Sequence, residues 1–220
     1  MSQSHGEELT ADSSRAGVLA SQSGVGSTPA RAIGELAALD RAVYEAVAAT
    51  PTPVLDKYFR QLSRVADHSV LWLGIAGAVA LVGGKKGREA ATESLVAIGA
   101  ASATINLGIK PLARRRRPDR VEPARFEARV VPIPASASFP SGHAASAFSF
   151  AYAMGRNLPE LAVPLRLLAG GVAQSRVHTG VHYPGDVVIG AILGAGIAAM
   201  VGAERDRRLR PSRAAGDAPG

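Results

Sequence analysis

The chain contains no cysteine, and aromatic residues make up only 5% of its 220 residues. Without cysteine it has no disulfide framework, no thiolate metal site and no cysteine nucleophile. The scarcity of aromatics argues against single-stranded nucleic-acid binding, which uses stacking side chains. Residues 1–33 are polar and lack the apolar stretch of a signal peptide, so no secretory signal is predicted.

Charged residues are also missing from long stretches of the chain. Five apolar runs follow one another, and only one of them contains a charge, Arg166; the runs are residues 69–84, 94–109, 144–155, 161–175 and 187–203. Each is shorter than the roughly 20 residues of a typical membrane-spanning helix, but five in succession with charged ends indicate a membrane bundle. Gly190 and Gly194 form a small-xxx-small pair suited to close helix packing.

The segments around these runs complete the predicted fold. Residues 33–49 and 54–67 show amphipathic helical periodicity and carry too many charges to cross a bilayer. Residues 1–33 and 204–220 are predicted to be disordered tails, which leaves one helical domain over 34–203. The predicted fold is all-α: a membrane-embedded helical bundle with about five transmembrane helices plus N-terminal amphipathic helices.

The net charge of +7 has three possible explanations: nucleic-acid binding, contact with anionic lipid headgroups, or a site for an anionic substrate. The position of the polar motifs favours a site. Residues 110–118 follow the second apolar run, residues 140–143 open the third, and residues 175–186 lie between the fourth and fifth. If each run crosses once, all three clusters lie at the same membrane face.

The first two clusters suit phosphate. Lys110 and Arg117 are seven positions apart, so on a continued helix they share a face and offer two cations to one anion. Ser141 and Gly142 belong to a turn that leads into an apolar helix, whose free N–H groups bind anions. His143 stands at this helix start and can act as an acid or a base.

The third cluster suits nucleophilic catalysis. Pro184 is well placed to begin the last helix, and Asp186 then lies in its first turn. Asp186 can accept a hydrogen bond from one nitrogen of His182 and leave the other nitrogen free to attack.

Together, Lys-x6-Arg-Pro, Pro-Ser-Gly-His and Ser-Arg-x5-His-x3-Asp resemble the three-part signature of the type-2 phosphatidic acid phosphatase (lipid phosphate phosphatase) superfamily. The resemblance implies that His182 forms a phosphohistidine, that Asp186 orients it, and that His143 protonates the leaving oxygen and then activates water. It further implies that the phosphate is bound by Lys110, Arg117, Ser141, Gly142 and Arg176. No metal and no cofactor are needed in this scheme. The apolar runs favour the membrane branch of the superfamily, acting on a phosphate monoester or diphosphate of a lipid.

Several alternatives stay open. A phosphotransferase of the same fold would pass the phosphoryl group to an acceptor alcohol. A membrane-surface or nucleic-acid-binding protein would spread its arginines over an extended face, whereas here many lie beside the motifs. His178 and His182 are four apart, but no third metal ligand follows at zinc-like spacing, so a local structural or substrate-lining role is favoured for His178. Because four arginines follow one another at 114–117, the assignment of the motif arginine to Arg117 can be off by one position.

The lipid, the oligomeric state and the sidedness cannot be read from the motifs. Possible substrates are undecaprenyl or decaprenyl phosphates, decaprenylphosphoryl phosphoribose and phosphatidate-like lipids; no nucleic-acid partner is expected. The cations at 85–88 and 205–213 lie on the side opposite the site and favour an external active site in the cell membrane. The polar N-terminus argues the reverse, because five crossings place it on the same face as the site.

Overall fold

A computed structural model describes residues 29–120 and 129–209, and the regular elements within these ranges are all helical. The helices are α1 (Pro29–Ala49), α2 (Pro53–Val65), α3 (Val70–Val82), α4 (Gly84–Ala103), α5 (Lys110–Ala113), α6 (Gly142–Asn157), α7 (Ala162–His178) and α8 (Pro184–Leu209). A π-helical segment, Thr104–Ile109, joins α4 to α5. The all-α prediction is confirmed. The contacts discussed below lie within the unit that begins at Asp40.

Helix α6 is the centre of the bundle and packs against α8, α4 and α7. Most of its side chains are buried, and many are alanines. Small residues let the helix backbones approach closely. A Cβ atom on Gly194 of α8 would lie 2.1 Å from the carbonyl oxygen of Ala145, and one on Gly190 would lie 2.5 Å from that of Ser141. The small-xxx-small pair therefore lies at the α6–α8 contact, as the sequence predicted.

Within the described ranges, two helices are long and apolar enough to cross a membrane: the continuous stretch Gly84–Ala113 and helix α8. A third crossing results if α2 and the stretch Asp67–Val82, which are bent by 61°, count as one broken span. Helices α6 and α7 have 16 and 17 residues, fewer than the roughly 20 that span a bilayer without tilt or thinning. The predicted number of five crossings stays a prediction.

The two amphipathic helices predicted before the bundle are present as α1 and α2. Helix α1 begins at Pro29, inside the predicted N-terminal tail, because proline is favoured in the first turn of a helix. Helix α8 continues to Leu209, beyond the predicted boundary at 203. The remaining parts of the two predicted tails, residues 1–28 and 210–220, lie outside the described residues.

Ion pairs explain the extension of α8. Glu204 pairs with Arg207 at 2.7 Å and with Arg208 at 2.6 Å, one helical turn away. Arg205 reaches the buried Glu93 of α4 at 2.6 Å, and Glu93 also pairs with Arg156 near the end of α6 at 2.8 Å. This charged cluster lies at the opposite end of α6 from His143, about 20 Å away along the helix.

Candidate active site

The start of α6 is tied to the start of α8. Ser141 caps α6, and its hydroxyl accepts a hydrogen bond from the N–H of Ala144 at 3.4 Å. The N–H of Ser141 donates to the carbonyl of Asp186 at 2.9 Å. Ser141 is fully buried, so its hydroxyl serves the helix cap, and its predicted contact with phosphate stays a prediction. A Cβ on Gly142 would lie 3.7 Å from Nζ of Lys110, which brings the first and second clusters together.

A tight turn after α7 fixes His182. Gly180 has a positive φ of 67°, the conformation that glycine adopts at helix ends, and its N–H donates to the carbonyl of Val177 at 3.0 Å. The N–H groups of Val181 and His182 both donate to the carbonyl of Arg176 at 3.1 Å. The chain therefore folds back over the end of α7, and the His182 backbone is held independently of its side chain.

The sequence spacing predicted that Lys110 and Arg117 share a helix face, and this prediction is wrong. Helix α5 ends at Ala113, and Arg114 has a left-handed φ of 38° that breaks the helix. The two cations meet through a loop instead. Nζ of Lys110 and Nη2 of Arg117 both donate to the hydroxyl of Ser136 at 3.3 Å, and Nε of Arg117 donates to the Ser136 carbonyl at 3.1 Å.

The imidazole of His182 is only 2% exposed and lies between a cation and an anion. Nη1 of Arg117 lies 3.3 Å from Nε2 of His182 and donates to the carbonyl of Val181 at 2.7 Å. Nδ1 faces Oδ2 of Asp186 at 3.5 Å. Burial lowers the pKa of His182 to about 4, against the opposing effect of Asp186. His182 is therefore neutral at neutral pH, with the Nε2 lone pair directed at Arg117.

Asp186 is fully buried and is held mainly by residues other than His182. Oδ2 accepts hydrogen bonds from the Ser138 hydroxyl and from the N–H of Tyr183 at 2.9 Å. Oδ1 accepts from Nη1 of Arg115 at 2.8 Å. At 3.5 Å, the predicted contact between Asp186 and His182 is longer than an ordinary hydrogen bond. Asp186 thus faces His182 as a fixed negative charge.

The remaining two predicted residues are joined by a carboxylate. Nε2 of His143 lies 2.8 Å from Oδ1 of Asp67, and Nη1 of Arg176 lies 3.5 Å from the same oxygen. Arg176 is 1% exposed, and Nη1 also donates to the hydroxyl of Ser63 at 2.5 Å.

Four residues at this site were not predicted from the sequence: Asp67, Arg115, Ser136 and Ser138. For Arg115 a signal existed. In the extended segment after α5, Arg115 and Arg117 are partly buried while Arg114 and Arg116 are exposed. Such alternation follows from the two-residue period of extended chain. Neither Asp67 nor the two serines stands at a recognisable spacing from the motifs, so local pattern could not find them.

His178 lies apart from this arrangement. Its Nε2 is 2.7 Å from Oδ1 of Asp56, which also accepts from Nε of Arg129 at 2.8 Å. The sequence favoured either a local structural or a substrate-lining role for His178; its burial, at 4% exposed, and its contact with Asp56 fit the structural role. Within residues 29–120 and 129–209, no three His, Asp or Glu side chains are grouped to hold a metal ion.

The sequence model of the PAP2 superfamily matches residues 90–208, which contain all three motif clusters. The decaprenylphosphoryl-5-phosphoribose phosphatase of Mycobacterium tuberculosis is 41% identical over 146 residues, covering 64% of this chain and 76% of the relative. The protein of the same name from Mycolicibacterium smegmatis is 36% identical over 138 residues, covering 60% and 68%.

Two solved structures share the fold. LpxE of Aquifex aeolicus is 22% identical with a TM-score of 0.62, covering 74% of this chain and 94% of that one. A transmembrane PAP2-type phosphatidylglycerolphosphate phosphatase of Bacillus subtilis is 24% identical with a TM-score of 0.61, covering 85% and 91%. The chain belongs to the PAP2 superfamily. It is a membrane-embedded lipid phosphatase, a hydrolase of phosphate esters that works through the phosphohistidine intermediate general to this superfamily.

Proposed function

We propose that the substrate is a polyprenylphosphoryl phosphoribose and that the chain removes its 5-phosphate. The observation that supports this choice is the 41% identity to decaprenylphosphoryl-5-phosphoribose phosphatase, which extends over 76% of that protein. Lys110 and Arg117, two cations that meet at Ser136 beside His182, suit a phosphate monoester of this kind.

In the first step, Nε2 of His182 attacks phosphorus while the bond from phosphorus to the ribose oxygen breaks. The lone pair is available because the imidazole is neutral and Nδ1 faces Asp186. Arg117 now contacts Nε2 and binds a phosphate oxygen when substrate enters. His143 gives its proton to the departing oxygen, which leaves as the alcohol.

In the second step, His143 takes a proton from water as the water oxygen attacks phosphorus. The bond from phosphorus to His182 breaks, and inorganic phosphate is released. Lys110, Arg117 and Arg176 neutralise the phosphate oxygens in both steps, and the start of α6 at Gly142 adds backbone N–H groups. Ser141 supports this helix start through its cap.

The test is phosphate release by purified protein in detergent from a panel of lipid phosphates. The panel compares polyprenylphosphoryl phosphoribose with a polyprenyl phosphate, a polyprenyl diphosphate, phosphatidate and phosphatidylglycerol phosphate. We expect the phosphoribose lipid to give the highest kcat/KM, His182→Ala to abolish turnover and a chelator to leave activity unchanged. A preference for phosphatidate or phosphatidylglycerol phosphate would overturn the substrate assignment, and no phosphate from any lipid would overturn the function.

We propose further that the active site faces the outside of the cell membrane. Two groups of cations lie at the end of the bundle opposite the site: Arg205, Arg207 and Arg208 at the end of α8, and Lys85 and Lys86 at the start of α4. Positively charged residues favour the cytoplasmic face of a membrane. The cysteine-free chain allows a direct test with single cysteines at exposed positions. A membrane-impermeant thiol reagent applied to intact cells should label Arg116→Cys but not Arg207→Cys. The reversed pattern would place the site inside.

A further inference from the structure

A carboxylate outside the three motif clusters contacts His143. Oδ1 of Asp67 lies 2.8 Å from Nε2 of the imidazole, although the two residues are 76 positions apart. The same oxygen lies 3.5 Å from Nη1 of Arg176. Asp67 thus touches both the proposed acid and one of the proposed phosphate-binding cations.

The backbone that carries Asp67 is strained. Asp67 begins the short turn between α2 and α3, where the chain bends by 61°. The next two residues, His68 and Ser69, have positive φ values of 52° and 61°, which residues other than glycine rarely adopt. Strain of this kind persists where the surrounding structure enforces it, and it concentrates at functional sites. The break turns α3 away at the point where Asp67 meets the start of α6.

A second carboxylate–histidine pair provides a comparison. Asp56 and His178 are joined at 2.7 Å between α2 and α7, and Asp56 is further held by Arg129 and Thr52. That pair is buried, and among the described residues its hydrogen bonds and ion pairs run to Arg129 and Thr52 and not to the proposed site residues. Asp67 is 34% exposed and its hydrogen-bonded partner is His143 itself. The two pairs link α2 or its following turn to the bundle in similar ways, but only one of them reaches a proposed catalytic group.

We propose that Asp67 is the positioning residue of His143 in the phosphatase reaction, an inference that rests on the proposed role of His143 as acid and base. The carboxylate holds Nε2 and so fixes the plane of the ring. The other nitrogen, Nδ1, is then left to face the leaving oxygen. Burial lowers the pKa of His143, and Arg176 and Lys110 lower it further; the hydrogen bond and the charge of Asp67 act in the opposite direction and favour the imidazolium.

The proton balance follows from this arrangement. The imidazolium of His143 gives the Nδ1 proton to the leaving oxygen as the ester bond breaks, and it recovers a proton from the attacking water in the second step. Asp67 stays an anion throughout and forms no bond to phosphorus. It acts through His143, so its loss should matter most where the leaving oxygen needs a proton.

The test compares two phosphates that carry the same alkyl chain, one an alkyl ester and the other an aryl ester. Single-turnover release of the alcohol or phenol in detergent reports the first step alone. An aryl oxide leaves without a proton, whereas an alkoxide needs one. For Asp67→Asn we expect release of the alcohol to slow by about 10- to 100-fold, release of the phenol to slow by no more than about threefold, and KM to change little.

Asp56→Asn is the matched control, because it removes the carboxylate of the second pair. It should lower the melting temperature while slowing both esters equally. Asp67→Glu keeps the charge and should restore part of the alcohol release. If Asp67→Asn does not fold, the two esters are compared with Asp67→Glu instead. Equal slowing of both esters by the Asp67 variants, or no slowing, would overturn the inference. The proposed function would still stand if the wild type turns over both esters and His182→Ala neither.

Discussion

Arg115 donates a hydrogen bond of 2.8 Å to Asp186, a fully buried carboxylate. In the described part of the chain, no other cation pairs with Asp186 within hydrogen-bond distance, since His182 lies 3.5 Å away. The same guanidinium donates to Asp40 at 2.6 Å and lies 4.3 Å from the ring centroid of Tyr183. One arginine therefore bridges α1 to the start of α8. It keeps the charge of Asp186 in place behind His182.

Replacing Arg115 should destabilise the protein. Arg115→Ala leaves Asp186 buried without its cation, and breaking a buried pair in this way costs roughly 3–5 kcal/mol. Because Arg115 is 28% exposed, we expect the lower end, about 3 kcal/mol, as a fall in the free energy of unfolding measured in detergent. Arg114→Ala, which removes an exposed neighbour, is the control. Equal effects of the two variants would contradict the assignment.

Arg117 and Arg116 should differ sharply in activity, although they are adjacent. Arg117 contacts Nε2 of His182, whereas Arg116 is exposed. Loss of a donor that stabilises transition-state charge lowers kcat by about 10²- to 10³-fold, and we expect this for Arg117→Ala. Arg116→Ala should stay within a few-fold of wild type. Steady-state phosphate release with both variants decides which arginine serves the motif, and the opposite ranking would shift the assignment by one position.

The low pKa of His182 predicts a loss of stability in acid. Its pKa is about 4 in the folded chain and near 6.5 when unfolded, so between these values the unfolded chain binds a proton that the folded chain does not. The contribution of neutral His182 to the free energy of unfolding is fully present above pH 6.5. It is lost as the pH drops toward 4, by up to about 3 kcal/mol. Unfolding curves across this range should show a smaller fall for His182→Gln. A variant with the wild-type slope would show that other groups are responsible.

The α6–α8 contact predicts different outcomes for two glycines of one helix. A methyl group at Gly194 would lie 2.1 Å from the Ala145 carbonyl, whereas one at Gly196 would meet nothing within 4 Å. Gly194→Ala should therefore push α8 away from α6, lower the melting temperature and reduce activity, since these helices carry Asp186 and His143. Gly196→Ala should be neutral or stabilise by about 0.4–1 kcal/mol. Melting curves and phosphate release on both variants test this, and a stable, active Gly194→Ala protein would contradict it.

The sequence by itself determined the class of fold and most of the proposed chemistry. Apolar periodicity is local, so the amphipathic helices and the helical nature of the five runs could be predicted. Pro184 begins α8 and Gly142 begins α6 as expected, because helix starts depend on a few adjacent residues. The motif spacing placed His182 and Asp186 together for the same reason.

Only the tertiary structure decided how the clusters meet. The helix carrying Lys110 ends at Ala113, so its convergence with Arg117 depends on a loop folded over Ser136 and not on a shared helix face. Asp67 reaches His143 across 76 positions, and Arg115 reaches Asp186 across 71. Such pairs are fixed by the packing of distant helices. No spacing within a single element encodes them, which is the physical reason that the sequence predicted the acid, the nucleophile and its carboxylate but not the residues that hold them.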